Sequence, residues 1–265
     1  MLGEIKKHLP KGIAGMTYYE PFVGAGAVFF DLQPGKAVIS DVNEQLMLTY
    51  IVIKDHIEDL IELLNEHQSN HNNDYYYRIR DMDRDSKTLV EISDAEKAAR
   101  LIYLNKTCYN GLYRVNSSGF FNVPIGRYNN PVIFNEAALR EINRYLNSSE
   151  IKILTGDFES TLNDVGVNSF IYLDPPYYNA CKTGFTSYQQ EPFGKDQQIR
   201  LRDVIQNLTD RGVKCLLSNS DTDFIRGIYS SNSFEIFPVK AARAVNSNPS
   251  ARGDVFELLI KNWKE

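Results

Sequence analysis

Asp174-Pro175-Pro176-Tyr177 sets a carboxylate, two prolines and a phenol ring in consecutive positions, directly after the apolar run Phe170-Ile171-Tyr172-Leu173. Proline has no N–H and a fixed φ, and it pushes the residue before it towards extended geometry. The run therefore reads as a buried strand ending on a stiff ledge. An exocyclic amino group on a flat heterocycle has two N–H donors and a lone pair delocalised into its ring. The Asp174 carboxylate and the Pro175 carbonyl can accept both hydrogens, drawing the lone pair out of conjugation so that the nitrogen can attack. Pro176 stiffens the turn, and Tyr177 can stack on a base that has left its duplex. Asp-Pro and Pro-Pro also mark ordinary surface turns. The apolar strand in front and the ring behind favour the chemical reading.

A ledge of this kind needs a donor pocket beside it. Thr17-Tyr18-Tyr19-Glu20 reads as a short strand running into Pro21-Phe22-Val23-Gly24-Ala25-Gly26, with a helix from about Ala27. A glycine turn between strand and helix lets a ligand approach the backbone at the carboxyl edge of a parallel sheet. A second strand, Ala37 to Ser40, ends at Asp41, where a carboxylate suits ribose hydroxyls. The nicotinamide fingerprint wants a third glycine near position 29, which is Phe29 here, so an adenosyl ligand without pyrophosphate fits better. A strand over Ile151 to Leu154 ends in Gly156-Asp157-Phe158. Asp157 can meet an adenine amino group and Phe158 can stack on the ring; core packing explains Phe158 equally well.

Residues 44 to 105 read as helices, with an apolar stripe through Leu46, Tyr50, Ile57, Leu60 and Leu64 and a capping box at Ser93-Asp94-Ala95-Glu96. His67 and His71 are four apart, but no further ligand stands near them, so they read as solvated helix-end histidines rather than a metal site. No acidic residue lies between Glu96 and Glu136, while Lys97, Arg100, Lys106, Arg114 and Arg127 are basic. Tyr109, Tyr113, Phe120, Phe121 and Tyr128 and the amides Asn105, Asn110, Asn116 and Asn122 interleave with them, with a hairpin expected around Ser117-Ser118-Gly119. Cations for phosphates, amides and arginine for base edges, and rings for a vacated stack make a nucleic-acid surface. Further on, residues 179 to 194 suggest a lid. The acid-free loop 240 to 253 offers Arg243 and Arg252 as a second phosphate clamp.

The whole chain sets the bounds. Its 265 residues can bury a large core, with 43% hydrophobic and 24% charged residues. Cys108, Cys181 and Cys215 are not in paired spacing, which points to reduced thiols and a cytoplasmic setting. No apolar run is long enough for a bilayer, and the start lacks a signal-peptide pattern. The net charge of -5 argues against a nucleic-acid partner overall, against the local distribution. Strand and helix alternate at both ends. The expected architecture is therefore α/β, a Rossmann-like fold with a mostly parallel seven-stranded sheet. Residues 1–54 and 147–265 form its catalytic part, and 55–146 an inserted helical and loop-rich recognition part.

Taken in order, five segments carry a specific resemblance: Glu20 to Gly26, Asn110-Gly111-Leu112-Tyr113-Arg114-Val115-Asn116, Phe121-Asn122-Val123-Pro124-Ile125-Gly126-Arg127-Tyr128, Gly156-Asp157-Phe158 and Asp174 to Tyr177. From about Leu2 to the C-terminus the chain resembles the Dam/DpnII-type adenine-N6 DNA methyltransferases. The resemblance implies S-adenosylmethionine held by Glu20 to Gly26, Asp41, Asp157 and Phe158, and methylation of adenine in GATC duplex sites, with a restriction-modification role among the settings. It implies that Arg114 reads a guanine, Pro124 meets the thymine methyl, Asn110 and Leu112 wedge the duplex, and Arg127 and Tyr128 meet phosphate. It also implies a Lys-Trp-x-Gly-Gly-Lys segment just upstream of Leu2, which nothing here matches; the one tryptophan is Trp263. Weakened cofactor binding, down to lost turnover, is the expectation that follows, from a truncated frame or a degenerate paralogue. The rival readings are a non-catalytic DNA-binding paralogue and an amino-methyltransferase for cytosine N4 or a protein amide. A monomer or weak dimer is expected.

Overall fold

The computed structural model describes residues 1–84, 91–178, 193–241 and 255–264. Among them are seven strands: β1 (Thr17–Glu20), β2 (Lys36–Asp41), β3 (Glu150–Thr155), β4 (Ser169–Leu173), β5 (Lys214–Ser220), β6 (Glu235–Ala241) and β7 (Val255–Lys261). They form one sheet in the order β3-β2-β1-β4-β5-β7-β6. β1 pairs in parallel with β2 and with β4, and β4 pairs in parallel with β5. β7 runs antiparallel between β5 and β6. This is the mostly parallel α/β sheet that the alternation of strand and helix predicts.

The pattern of β4 explains its position. All five of its residues are buried, as expected for a parallel strand covered on both faces, whose sequence is a continuous apolar run rather than an alternation. Ile171 and Leu173 pack with Leu201, Ile205 and Leu208 of the helix Lys195–Asp210 and with Leu217 and Ile260 of β5 and β7. From β1 the chain leaves on one side to β2 and returns on the other at β4. That reversal opens a crevice at the carboxyl ends of β1 and β4, where open parallel sheets take their ligands.

The chain divides into two compact units, residues 1–42 with 156–265 and residues 43–155. The second unit is built on the helices Glu44–Asp55, Ile57–Asn70, Asn73–Asp81, Asp94–Thr107 and Glu136–Ser148. Ser93 and Glu96 complete the expected capping box, the Ser93 hydroxyl accepting from the Glu96 amide at 3.2 Å and the Glu96 carboxylate accepting from the Ser93 amide at 2.7 Å.

Two expectations for this unit are corrected. His67 is not a solvated helix end: it is 8% exposed, stacks on Tyr103 and shares a 2.8 Å hydrogen bond with the Tyr75 hydroxyl. An aromatic box removes water from the imidazole, and burial pushes its pKa down to about 4. Arg100 does not belong to a nucleic-acid surface. It is 4% exposed, pairs with Asp83 at 3.0 Å and donates to the Ile79 and Arg80 carbonyls. Helical periodicity places Arg100 on the inward face with Ala99, Tyr103 and Leu104, where a charge must be paired.

Candidate active site

Glu20, Asp41 and Asp174 stand at or just past the carboxyl ends of β1, β2 and β4, the three strands around the reversal. All three line one cavity of about 890 Å³. Gly24 and Ala25 bound it on one side, Asp157 and Phe158 on another, and Pro175, Pro176 and Tyr177 close it along the ledge. The sequence argument reached these residues separately; the sheet brings them together. Pro21 and Gly26 shape the turn, while its lining atoms come from Phe22, Val23, Gly24, Ala25 and Ala27.

The turn is a glycine structure for a stated reason. Gly24 and Gly26 have φ of 49° and 70°, the left-handed region that costs other residues. The loop folds back so that the Val23 amide donates to Ser40 at 3.0 Å and the Gly24 amide donates to the Asp41 carboxylate at 3.2 Å. Asp41 therefore ties the turn to β2 as well as facing the cavity. Glu20, 2% exposed, accepts from the Tyr18 hydroxyl at 2.7 Å. Burial above all pushes its pKa up to about 8, with nearby Asp174 adding to the rise.

On the ledge, Asp174 accepts a 2.6 Å hydrogen bond from the Ser218 hydroxyl. Burial raises its pKa, and the hydroxyls of Ser218 and Tyr177 draw it back. The Tyr177 hydroxyl also reaches Glu257 of β7 at 3.3 Å. Behind the prolines, the Gln198 amide donates to the Pro176 carbonyl at 2.9 Å.

The Gly156-Asp157-Phe158 corner differs from its simplest reading. Asp157 caps the short helix Phe158–Leu162, accepting from the Glu159 amide at 3.0 Å. Both its oxygens meet the Arg200 guanidinium, at 2.6 and 3.0 Å, and Arg200 bonds Glu159 as well. Phe158 is both core and lining. It is 2% exposed, stacks on Phe22 at 5.3 Å and lies under the Arg200 guanidinium. Phe193 meets Phe22 edge-on at 5.5 Å, which completes an aromatic slot.

Arg200, Phe193, Glu257, Ser218 and Gln198 went unread in the sequence. Gln198 and Arg200 lie on a helix whose periodicity reads only as packing, and Ser218 lies inside a strand. A burial pattern could have flagged Ser218, a hydroxyl that directly follows the apolar run Cys215-Leu216-Leu217 of β5.

In the second unit, the predicted recognition residues lie on one irregular segment after the helix Asp94–Thr107. The hairpin forms where expected, with the Asn116 amide donating to Phe120 at 2.9 Å and the Gly119 amide to Asn116 at 2.9 Å. Tyr109, Asn110, Leu112, Arg114, Pro124, Arg127 and Tyr128 are exposed. Asn110 takes a left-handed conformation, φ 54°, at the tip of a tight turn. Arg114 is held by Asn122 through its side-chain oxygen at 2.7 Å. The side-chain oxygen of Asn116 is committed to the loop, accepting from the Ser118 and Phe120 amides at 3.0 Å each. Phe121 is buried, its amide donating to Asp83 at 2.7 Å, so its ring is core rather than platform.

Arg243, Arg252 and most of the suggested lid lie outside the described residues. Among the described residues no helix is long and apolar enough to cross a membrane, and no group of three or more His, Cys, Asp or Glu gathers as a metal ion would need.

Comparison with known proteins gives a consistent result. Residues 1–245 match the family model described as D12 class N6 adenine-specific DNA methyltransferase. The chain is 42% identical over 247 residues to a type II methyltransferase, M1.LlaDCHI, of Lactococcus lactis subsp. cremoris, covering 93% of this chain and 86% of that protein. It is 42% identical over 280 residues to the type II methyltransferase M.MjaIII of Methanocaldococcus jannaschii, covering 99% and 95%. The DNA adenine methylase of Escherichia coli K12 is 32% identical over 262 residues, covering 98% and 90%. Methyltransferases of this kind take their methyl group in general from S-adenosylmethionine. With a strand-end carboxylate on a proline ledge, a glycine turn facing it and similarity along nearly its whole length, the chain belongs to the D12 class N6 adenine-specific DNA methyltransferases.

Proposed function

We propose that this chain methylates N6 of adenine in duplex DNA, in GATC sites, using S-adenosylmethionine held in the 890 Å³ cavity. The observation that carries the reading is that Asp174 and Gly24 line that cavity together. Its size suits a nucleoside ligand, within the usual range of about 300–1,000 Å³. The residues also suit the group chemically. Phe22 and Phe158 offer apolar ring surface to a purine, Asp41 a carboxylate to ribose hydroxyls, and Glu20 and the turn amides polar partners to the methionine end. When bound, S-adenosylmethionine supplies an electrophilic methyl group.

The rest is the work of the chain's own side chains. Asp174 and the Pro175 carbonyl accept the two amino hydrogens of the target adenine, so the nitrogen lone pair turns out of the ring and becomes the nucleophile. Tyr177 gives the everted base a face to stack on. No covalent link to the protein is needed. Residues 55–146 act as the recognition insertion: Arg114 reads guanine, Pro124 meets the thymine methyl, Asn110 and Leu112 wedge the duplex, and Arg127 and Tyr128 hold phosphate. The preorientation of Arg114 by Asn122 supports that role, since a held guanidinium loses less freedom on binding a guanine edge.

The test is transfer of labelled methyl to a GATC duplex and to a scrambled duplex of equal composition, alongside calorimetric titration with S-adenosylmethionine. Transfer confined to GATC supports the reading. Cofactor binding with transfer to neither duplex refutes the substrate, and the absence of cofactor binding leaves a DNA-binding protein without catalysis.

A further inference from the structure

We infer that Ser218, Asn219 and Gln198 form a positioning frame for the ledge, one end holding the Asp174 carboxylate and the other the Pro176 carbonyl, so that Asp174 and the Pro175 carbonyl meet the amino group as a rigid unit. The inference rests on the reading of Asp174 and Pro175 as those acceptors and adds the residues that aim them.

Prolines at 175 and 176 give the ledge no amide hydrogens there, so it cannot be tied down by its own N–H groups. It has to be held through its oxygens, by donors from elsewhere. The structure supplies these from the carboxyl end of β5 and from the helix Lys195–Asp210. Ser218, Asn219 and Gln198 are each fully buried, 0% exposed. Burying three polar side chains is unfavourable unless each is hydrogen-bonded, and their bonds converge on the ledge.

At one end, the Ser218 hydroxyl donates to Asp174 Oδ1 at 2.6 Å. A hydroxyl has one hydrogen, so Tyr172, whose hydroxyl lies 3.1 Å from Ser218 Oγ, must donate to it in turn. The relay Tyr172 to Ser218 to Asp174 fixes Oδ1, and the Tyr177 hydroxyl bonds the same carboxylate.

At the other end, Asn219 donates to Gln198 Oε1 at 2.9 Å, and Gln198 donates to the Pro176 carbonyl at 2.9 Å. This orientation of both amides is the one in which every oxygen meets a donor. Asn219 Oδ1 accepts from the Ser220 amide at 2.8 Å and the Tyr178 amide at 3.3 Å. The Ser220 hydroxyl closes the frame on the Tyr178 carbonyl at 2.6 Å. The frame thus brackets Asp174 to Tyr178, with the Pro175 carbonyl between its two fixed ends.

The test compares wild type with Ser218→Ala, Ser218→Thr and Gln198→Leu. Steady-state transfer is read over a pH series, S-adenosylmethionine affinity and stoichiometry by calorimetry, and folding by thermal midpoint. Misaiming a reacting group by about 1 Å costs about 10²-fold, so Gln198→Leu should lose about that in kcat with KM for DNA and cofactor affinity nearly unchanged. Ser218→Ala should lose at least about tenfold in kcat, and Ser218→Thr, which keeps the hydroxyl, should recover most of it. The acid limb of the Ser218→Ala profile should move to higher pH. The hydroxyl draws the Asp174 proton affinity down. Tyr172, Tyr177, Glu20, Asp41, Asp157 and Glu257 carry no positive charge to replace it, and the one cation lining the cavity among the described residues, Arg200, is paired with Asp157 and Glu159.

An active wild type whose Ser218→Ala variant keeps both kcat and the pH profile overturns the frame. So does a Gln198→Leu loss that matches a fall in calorimetric stoichiometry, since fewer folded molecules would then explain it. A wild type that binds cofactor but transfers no methyl overturns the reading of the ledge, and the frame with it.

Discussion

Glu20→Gln isolates the largest electrostatic cost in the cavity wall. Glu20 is 2% exposed, and burial lifts its pKa from 4.5 to about 8. The folded state therefore binds this proton more tightly than the unfolded chain does. Between pH 4.5 and about 8 the unfolded chain has lost the proton and the folded chain keeps it, so stability falls as pH rises, by about 1.4 kcal/mol per pH unit. Over that interval the loss amounts to about 5 kcal/mol, and it is complete above the folded pKa. Glutamine does not titrate and keeps an oxygen for the Tyr18 hydroxyl. The Glu20→Gln variant should therefore gain on wild type steadily from pH 5 to pH 8 and hold a constant advantage beyond. For a chain of this length the gain corresponds to roughly 10 °C or more in the thermal midpoint. Urea unfolding of both proteins at half-unit pH steps is the assay. A stability difference that stays within about 1 kcal/mol from pH 5 to pH 9 would show that Glu20 is not protonated in the folded protein, and the desolvation argument would be wrong.

Asp174→Ala should abolish methyl transfer while thermal midpoint and duplex affinity stay near wild type, as filter binding and labelled-methyl assays will show. Arg100→Met leaves Asp83 buried without its cation and should cost about 3–5 kcal/mol in urea unfolding; a cost under 1 kcal/mol would mean the pair is not buried as described. In Gly126→Ala the added methyl would run into the Tyr128 ring and the Cys108 carbonyl, so duplex affinity should drop about tenfold or more in a folded protein. Ser93→Ala removes the capping box and should cost about 1 kcal/mol of stability, visible as faster amide exchange in the first turn of the helix Asp94–Thr107.

How much of this was legible beforehand follows from what kind of information each residue carries. The ledge, the glycine turn, the strand-end carboxylates and the hairpin could be read from residue types, because proline, glycine and capping residues act on their own neighbours in the chain. Their order along an alternating strand and helix pattern was enough for a parallel sheet. Burial and pairing were not legible. His67 and Arg100 looked like surface groups because their aromatic box and their Asp83 partner come from other helices. Asn116 and Phe121 looked available for recognition until their oxygen and ring proved to be engaged in the loop and the core. Arg200 holds Asp157 from 43 residues away, and Ser218 holds Asp174 from 44, separations at which no local pattern reports a contact.

The chain alone determined which chemistry is present, since a carboxylate, a proline carbonyl and a ring in adjacent positions need no fold to be recognised. Only the tertiary structure decided how they are aimed, because direction comes from donors that the sheet and one helix bring to the ledge from distant parts of the sequence.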